Sequence, residues 1–139
     1  MQKTLVIIKP DSVKRRFIGK IITRFEDKGF EILGLKLLVI SENVARENYS
    51  EHKGKEFFGK LIEFMTSGPV VVLVIEGTNA IEVTRTMMGE TDCHKAAPGT
   101  IRGDFGLSNR YNLIHGSDSP ESAEREISLF FSTEELLKT

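Results

Sequence analysis

Cysteine is nearly absent from this sequence. Cys93 is the only one in 139 residues, so no disulfide can form within the chain, and a reducing, cytoplasmic setting is expected. Charge of one sign is also lacking: 19 basic residues face 20 acidic ones, a net charge of −1, which gives no electrostatic basis for binding nucleic acid or a membrane surface non-specifically. Long hydrophobic runs are missing too, since the longest, "PVVVLVI" at 69–75, is far too short to span a bilayer. The opening "MQKTLVIIKPD" has too short an apolar stretch, and no small-residue cleavage site, for a secretory signal. There is no repeat, low-complexity tract or linker, so residues 1–139 are expected to form a single domain. No metal cage is visible either. Asp92, Cys93 and His94 are consecutive, and adjacent side chains rarely converge on one ion.

What remains is an alternation of strand and helix. "TLVIIK" at 4–9 reads as a buried strand stopped by Pro10. A helix follows, with Ile18, Ile21, Ile22 and Phe25 on one face and Gly29 as its cap. "FEILGLKLLVI" at 30–40 is a second strand, partly exposed at Glu31 and Lys36; residues 43–66 are helical in two pieces broken around Gly54. "VVVLVIEG" at 70–77 is a central strand, and 79–88 is a helix ending at Gly89. From Gly89 to about Tyr111 no period is sustained, and a loop of that length in so small a domain points to function. A short strand at Asn112–His115 then leads to a helix capped by Asp118 or Ser119, with Pro120 in its first turn. The alternation favours a parallel doubly wound sheet, but four strands fit a split β-α-β unit with an antiparallel sheet equally well.

Two stretches bear on chemistry. "GKEFFGKL" at 54–61 nearly matches a phosphate-binding loop, yet Leu61 replaces the hydroxyl that should hold Mg²⁺ and no strand leads into it. His115 is the stronger candidate. A lone histidine at a strand end is most often satisfied by a backbone bond, but Gly116 permits close backbone approach and a helix N-terminus beyond it favours an anion nearby. Glu126 lies two turns into that helix, and side chains lean toward a helix N-terminus, so its carboxylate can reach back to one ring nitrogen and leave the other free to attack. Cations are available too. Lys9 ends the first strand, with a lysine snorkelling to solvent as the plainer reading. Arg85 flanks the apolar side of its helix, where a surface ion pair is the alternative. Arg102 in "GTIRGD" is placed to clamp a phosphate with two parallel bonds.

"NLIHGSDS" at 112–119 resembles the active-site signature of nucleoside diphosphate kinases, and "KPD" at 9–11, "SGPVVVLVIEG" at 67–77, "MGET" at 88–91 and "PGTIRGDF" at 98–105 match that family in the same order, across essentially the whole chain. The resemblance implies an α+β, ferredoxin-like βαββαβ fold, a four-stranded antiparallel sheet flanked by helices. It implies transfer of the γ-phosphate of a nucleoside triphosphate, mainly ATP, to a nucleoside diphosphate by a ping-pong route through a phosphohistidine, maintaining NTP and dNTP pools. By position it makes His115 the phosphorylated residue, Glu126 the group orienting its ring, and Ser117 their neighbour. Arg85, Thr91 and Arg102 become phosphate contacts, with Tyr49 close to His115. Lys9 and Asn112 match residues that bind the ribose hydroxyls, and Phe57 the aromatic that stacks on the base. Mg²⁺ is expected to arrive on the nucleotide phosphates, the only other partners being copies of the chain in a tetramer or hexamer, with no membrane and no specific nucleic acid. Many members carry proline where this chain has Cys93. A phosphocarrier using His115 alone, and a nucleotide-binding regulator without catalysis, are the competing classes.

Overall fold

The computed structural model describes residues 1–138. Four strands, β1 (Gln2–Ile8), β2 (Glu31–Leu38), β3 (Val70–Gly77) and β4 (Ile114–Gly116), form one sheet in the order β2-β3-β1-β4, every neighbouring pair antiparallel. The alternation of strand and helix therefore pointed to the wrong sheet type, and the reason is burial. All eight residues of β3 are buried, because helices cover both faces of the sheet. Strands covered on both sides lose the in–out alternation that betrays an antiparallel sheet with one wet face.

Successive side chains of β1 divide between two cores. Leu5 and Ile7 face α3 (Glu42–Asn48), α4 (Phe58–Met65) and α7 (Pro120–Phe130), packing with Ala45, Ile62, Met65 and Phe130. Val6 and Ile8 face α2 (Ile18–Lys28) and α5 (Ala80–Met88), packing with Ile21, Phe25 and Met88. This division also decides the direction of His115. Cross-strand partners share a face, and His115 pairs with Ile7, so its ring is directed toward α3 and α7.

Local signals explain most helix ends. Gly29 closes α2 with φ of 104°, a left-handed cap that glycine adopts without strain. Ser119, not Asp118, caps α7 by accepting from the Ser122 N–H, with Pro120 in the first turn. Two short helices are absent from the sequence reading: α1 (Pro10–Lys14), which opens on Pro10, and α6 (Ile101–Phe105), capped by Thr100 inside the long irregular segment. Both have five residues, too few to show a 3.6-residue period. The last strand is also displaced, starting at Ile114, because Leu113 has φ of 76° and cannot extend it.

Candidate functional site

The cleft that receives His115 encloses about 580 Å³ between β4, the end of α3, the 51–57 segment, α5 and the loop leading to α6. Three roomier clefts, of about 610, 800 and 980 Å³, contain no histidine, and the second of them adjoins this one at Arg85 and Asp118. Volume does not locate the chemistry here. The convergence of charged and polar groups does.

At its deep end, His115 Nε2 lies 2.8 Å from Glu126 Oε1. Glu126 is 2 % exposed, and the same oxygen accepts a bond of 2.9 Å from Ser117 Oγ. Ser117 is anchored in turn, its Oγ accepting from the Leu5 N–H at 3.2 Å. One carboxylate oxygen thus ties the ring, through a buried hydroxyl, to the central strand β1. With Nε2 committed to an acceptor, the proton belongs there and Nδ1 keeps its lone pair. Tyr49 sets its ring edge against that of His115, centroids 5.6 Å apart and planes at 81°. Burial raises the pKa of the Tyr49 phenol well above its usual range, keeping it neutral.

The cations reach this end by different means. Lys9 does not snorkel: it is 8 % exposed, and Nζ donates to Asn112 Oδ1 at 2.7 Å. Burial, helped by repulsion from Arg102 and opposed by Asp11, lowers its pKa to about 8. Arg102 is 6 % exposed and spends three N–H groups on backbone carbonyls: Nε on Asn112, one terminal nitrogen on Gly89, the other on Ile114. It therefore staples the irregular loop to β4, and two of its five N–H groups remain for a ligand. Arg85 donates to the Gly116 carbonyl at 3.1 Å. Gly116 is held small by protein rather than by ligand, since a Cβ there would meet Met88 Sδ at 2.6 Å.

The outer end is aromatic and open. Phe57 is 48 % exposed, and the His52 ring lies between it and Tyr49, at centroid distances of 5.3 and 6.4 Å. Lys55 Nζ stands 3.3 Å from His52 Nδ1, and Thr91 lines the opposite wall. All ten residues singled out in the sequence meet here: nine line the cleft and Ser117 supports it from behind. His52, Lys55 and Asp118 were missed as cleft residues. His52 belongs to no motif, Lys55 lies in the rejected phosphate-loop match at 54–61, and Asp118 was weighed only as a helix cap. Among the described residues no group of three His, Cys, Asp or Glu side chains could hold a metal ion; Cys93 is buried, next to Gly106.

Comparison with known proteins agrees across the whole chain. The family model described as nucleoside diphosphate kinase matches residues 2–136. A nucleoside diphosphate kinase of Methanocaldococcus jannaschii is 57 % identical over 135 residues, covering 97 % of this chain and 96 % of that protein. One from Bacillus cereus is 55 % identical over 137 residues, covering 99 % and 93 %. Among solved structures, the halophilic enzyme of Halobacterium salinarum in complex with CDP superposes with a TM-score of 0.96 at 49 % identity, covering 99 % of this chain and 92 % of that one. A family protein from Babesia bovis gives 0.97 at 41 % identity, covering 100 % and 94 %.

Proposed function

The chain belongs to the nucleoside diphosphate kinase family and transfers phosphate between nucleoside triphosphates and diphosphates, and from that premise we propose that the transfer runs in two half-reactions through a phosphohistidine at His115. The observation that carries this reading is the 2.8 Å contact between His115 Nε2 and the buried Glu126. It leaves Nδ1 as the nucleophile. Nδ1 attacks the γ-phosphorus in line; a nitrogen–phosphorus bond forms, the bridging phosphorus–oxygen bond breaks, and the diphosphate leaves with the bond electrons. A second diphosphate then attacks the phosphohistidine through a terminal phosphate oxygen; a phosphorus–oxygen bond forms, the nitrogen–phosphorus bond breaks with its electrons returning to Nδ1, and the nucleotide departs as triphosphate.

Each remaining residue has a part in that scheme. Glu126 orients the ring and, with Ser117, offsets the positive charge that develops on it. Arg85, the two spare N–H groups of Arg102, and Thr91 bind the phosphate oxygens, where preorganised donors lower the barrier of phosphoryl transfer. Tyr49 closes the wall beside the ring. Lys9 and Asn112, already bonded to each other, turn their remaining donors to the ribose hydroxyls. Phe57 stacks on the base through its π-face, which selects no particular base and suits broad acceptance, with ATP the main donor and maintenance of NTP and dNTP pools the outcome. The CDP bound by the Halobacterium salinarum relative accords with a pyrimidine being acceptable.

Mg²⁺ fits this cleft as cargo of the nucleotide. Glu51 and Asp118 are the carboxylates left in the lining once Glu126 is engaged, a set too sparse for a cage but suited to an ion whose other ligands are phosphate oxygens and water. Bound in that way, the ion would neutralise charge on the transferring group. A cytoplasmic setting belongs to the same proposal, a single cysteine suiting a reducing compartment; no helix of the described residues is long and apolar enough to cross a membrane. Assembly into a tetramer or hexamer is supported by β2, an edge strand with Leu35 and Leu37 exposed at 55 % and 66 %.

The deciding experiment mixes enzyme with Mg·ATP and no acceptor. One burst of ADP, close to one per subunit, is expected, with acid-labile, base-stable phosphate on the protein that GDP or CDP then discharges. His115→Ala should abolish both half-reactions. Label retained by that variant would mean that another residue is phosphorylated, and steady hydrolysis without a burst would mean an ATPase.

A further inference from the structure

Leu113 stands between two site residues, Asn112 and Ile114, with a φ of 76° that non-glycine residues rarely adopt. The Ile114 N–H bonds to the Asn112 carbonyl at 2.9 Å, closing a three-residue turn around it. With positive φ at the central residue this is the strained form of the γ-turn. Such strain persists only where the surroundings over-determine it, and it gathers at functional sites.

The surroundings here grip both peptide planes that flank the Leu113 Cα. On the first plane, Asp11 Oδ2 accepts from the Leu113 N–H at 3.1 Å while Arg102 Nε holds the Asn112 carbonyl. On the second, the Leu113 carbonyl accepts from Ser12 Oγ at 2.7 Å and from the Lys9 N–H at 2.9 Å. Fixing both planes fixes φ and ψ together. We propose that Asp11, assisted by Ser12, is a positioning residue: it holds Leu113 in the strained turn, so that Asn112 faces Lys9 and the pair presents its donors to the sugar. Without that acceptor the Leu113 N–H is a buried donor left unpaired, and the turn relaxes toward extended backbone, carrying the Asn112 side chain away from Lys9.

The inference rests on the reading of Lys9 and Asn112 as ribose contacts, and its test separates the two. The readout is the ratio of affinities for ADP and for the analogue lacking both ribose hydroxyls, measured by calorimetry. A ratio cancels any change in the folded fraction. The wild type should prefer ADP about tenfold or more, two hydrogen bonds being lost with the hydroxyls. Asp11→Ala should bring the ratio to within about twofold of one, whereas Asp11→Asn, which keeps an acceptor oxygen, should retain most of the preference. A wild-type ratio in Asp11→Ala overturns the proposal. So does an equal collapse in Asp11→Asn, which would assign the effect to charge beside Lys9. If Asp11→Ala does not fold, Ser12→Ala should lower the ratio in part, and an unchanged ratio there counts against the clamp. A wild-type ratio near one would remove the ribose reading instead; hydrogen exchange at the Leu113 amide then decides, faster in Asp11→Ala if the clamp is real and unchanged if it is not.

Discussion

The two ends of the cleft are built on opposite principles. At the deep end Glu126, Ser117, Lys9, Arg102 and Asn112 are all buried, and each is bonded to another site residue or to the backbone beside it. At the outer end Phe57 is half exposed, and its ring makes an aromatic contact with His52 and a cation–π contact with Lys55. Chemistry that depends on tenths of an ångström sits where side chains cannot move. On the proposed reading, recognition that accepts several bases sits where they can.

The contrast breaks most severely at Glu126. Glu126→Gln keeps the shape of the side chain but weakens the acceptor and removes the charge that complements the ring as it becomes cationic. Phosphohistidine formation is expected to slow by roughly a hundredfold or more, with nucleotide affinity unchanged. Rapid-quench single turnovers check this, and a wild-type rate would show that the ring is held by something else. At the open end the consequence reverses, because Phe57→Ala should leave the single-turnover rate at saturation intact and act on binding. Stacking is worth roughly 1–3 kcal/mol, so the Kd of ADP, GDP and CDP should each rise about tenfold, with little change in Tm. Selective loss for one base would show that Phe57 reads identity and does not merely stack.

A smaller effect sharpens the comparison through pH. The buried Lys9, with its pKa lowered to about 8, loses its proton in the folded protein before the unfolded chain does at about 10.5. Between those values the unfolded state binds more protons, so this group's contribution to stability rises with pH. Nucleotide affinity should move the other way, falling about tenfold from pH 7 to pH 9 as the charge is lost. Lys9→Met should flatten that dependence. Calorimetric titrations at both pH values test it, and an equal slope in the variant would assign the titration to another group.

How much of this was legible in the sequence depended on whether a side chain or the backbone carried the message. β3 was visible because six consecutive aliphatic residues, Val70 to Ile75, admit few other readings, and His115 with Glu126 because helix geometry alone makes the reach plausible. The sheet's direction was not, since burial on both faces erased its period; the family resemblance supplied it. Arg102 was noticed as a cation, but its three bonds go to carbonyls, which every residue has and no sequence pattern marks. The turn at Leu113 was hidden for the same reason, because leucine is a poor advertisement for positive φ. His52 was read as part of a helix, whereas α3 ends at Asn48, and its ring contacts with Tyr49 and Phe57 place it in the cleft.

The pairing of β4 with β1 carries one more consequence, in time rather than space. Ser117 bonds the Leu5 N–H across a separation of 112 positions, and the same ladder sets His115 opposite Ile7. The proposed nucleophile is therefore aimed by a strand made 112 positions before the residue that ties it there, and it can be seated only once β4 has emerged. Contacts that distant in sequence close late. A growing chain can collect much of its core before β4 is in place, so partly made copies would hold Lys9 and Phe57, the proposed nucleotide contacts, yet lack His115, the residue proposed to be phosphorylated.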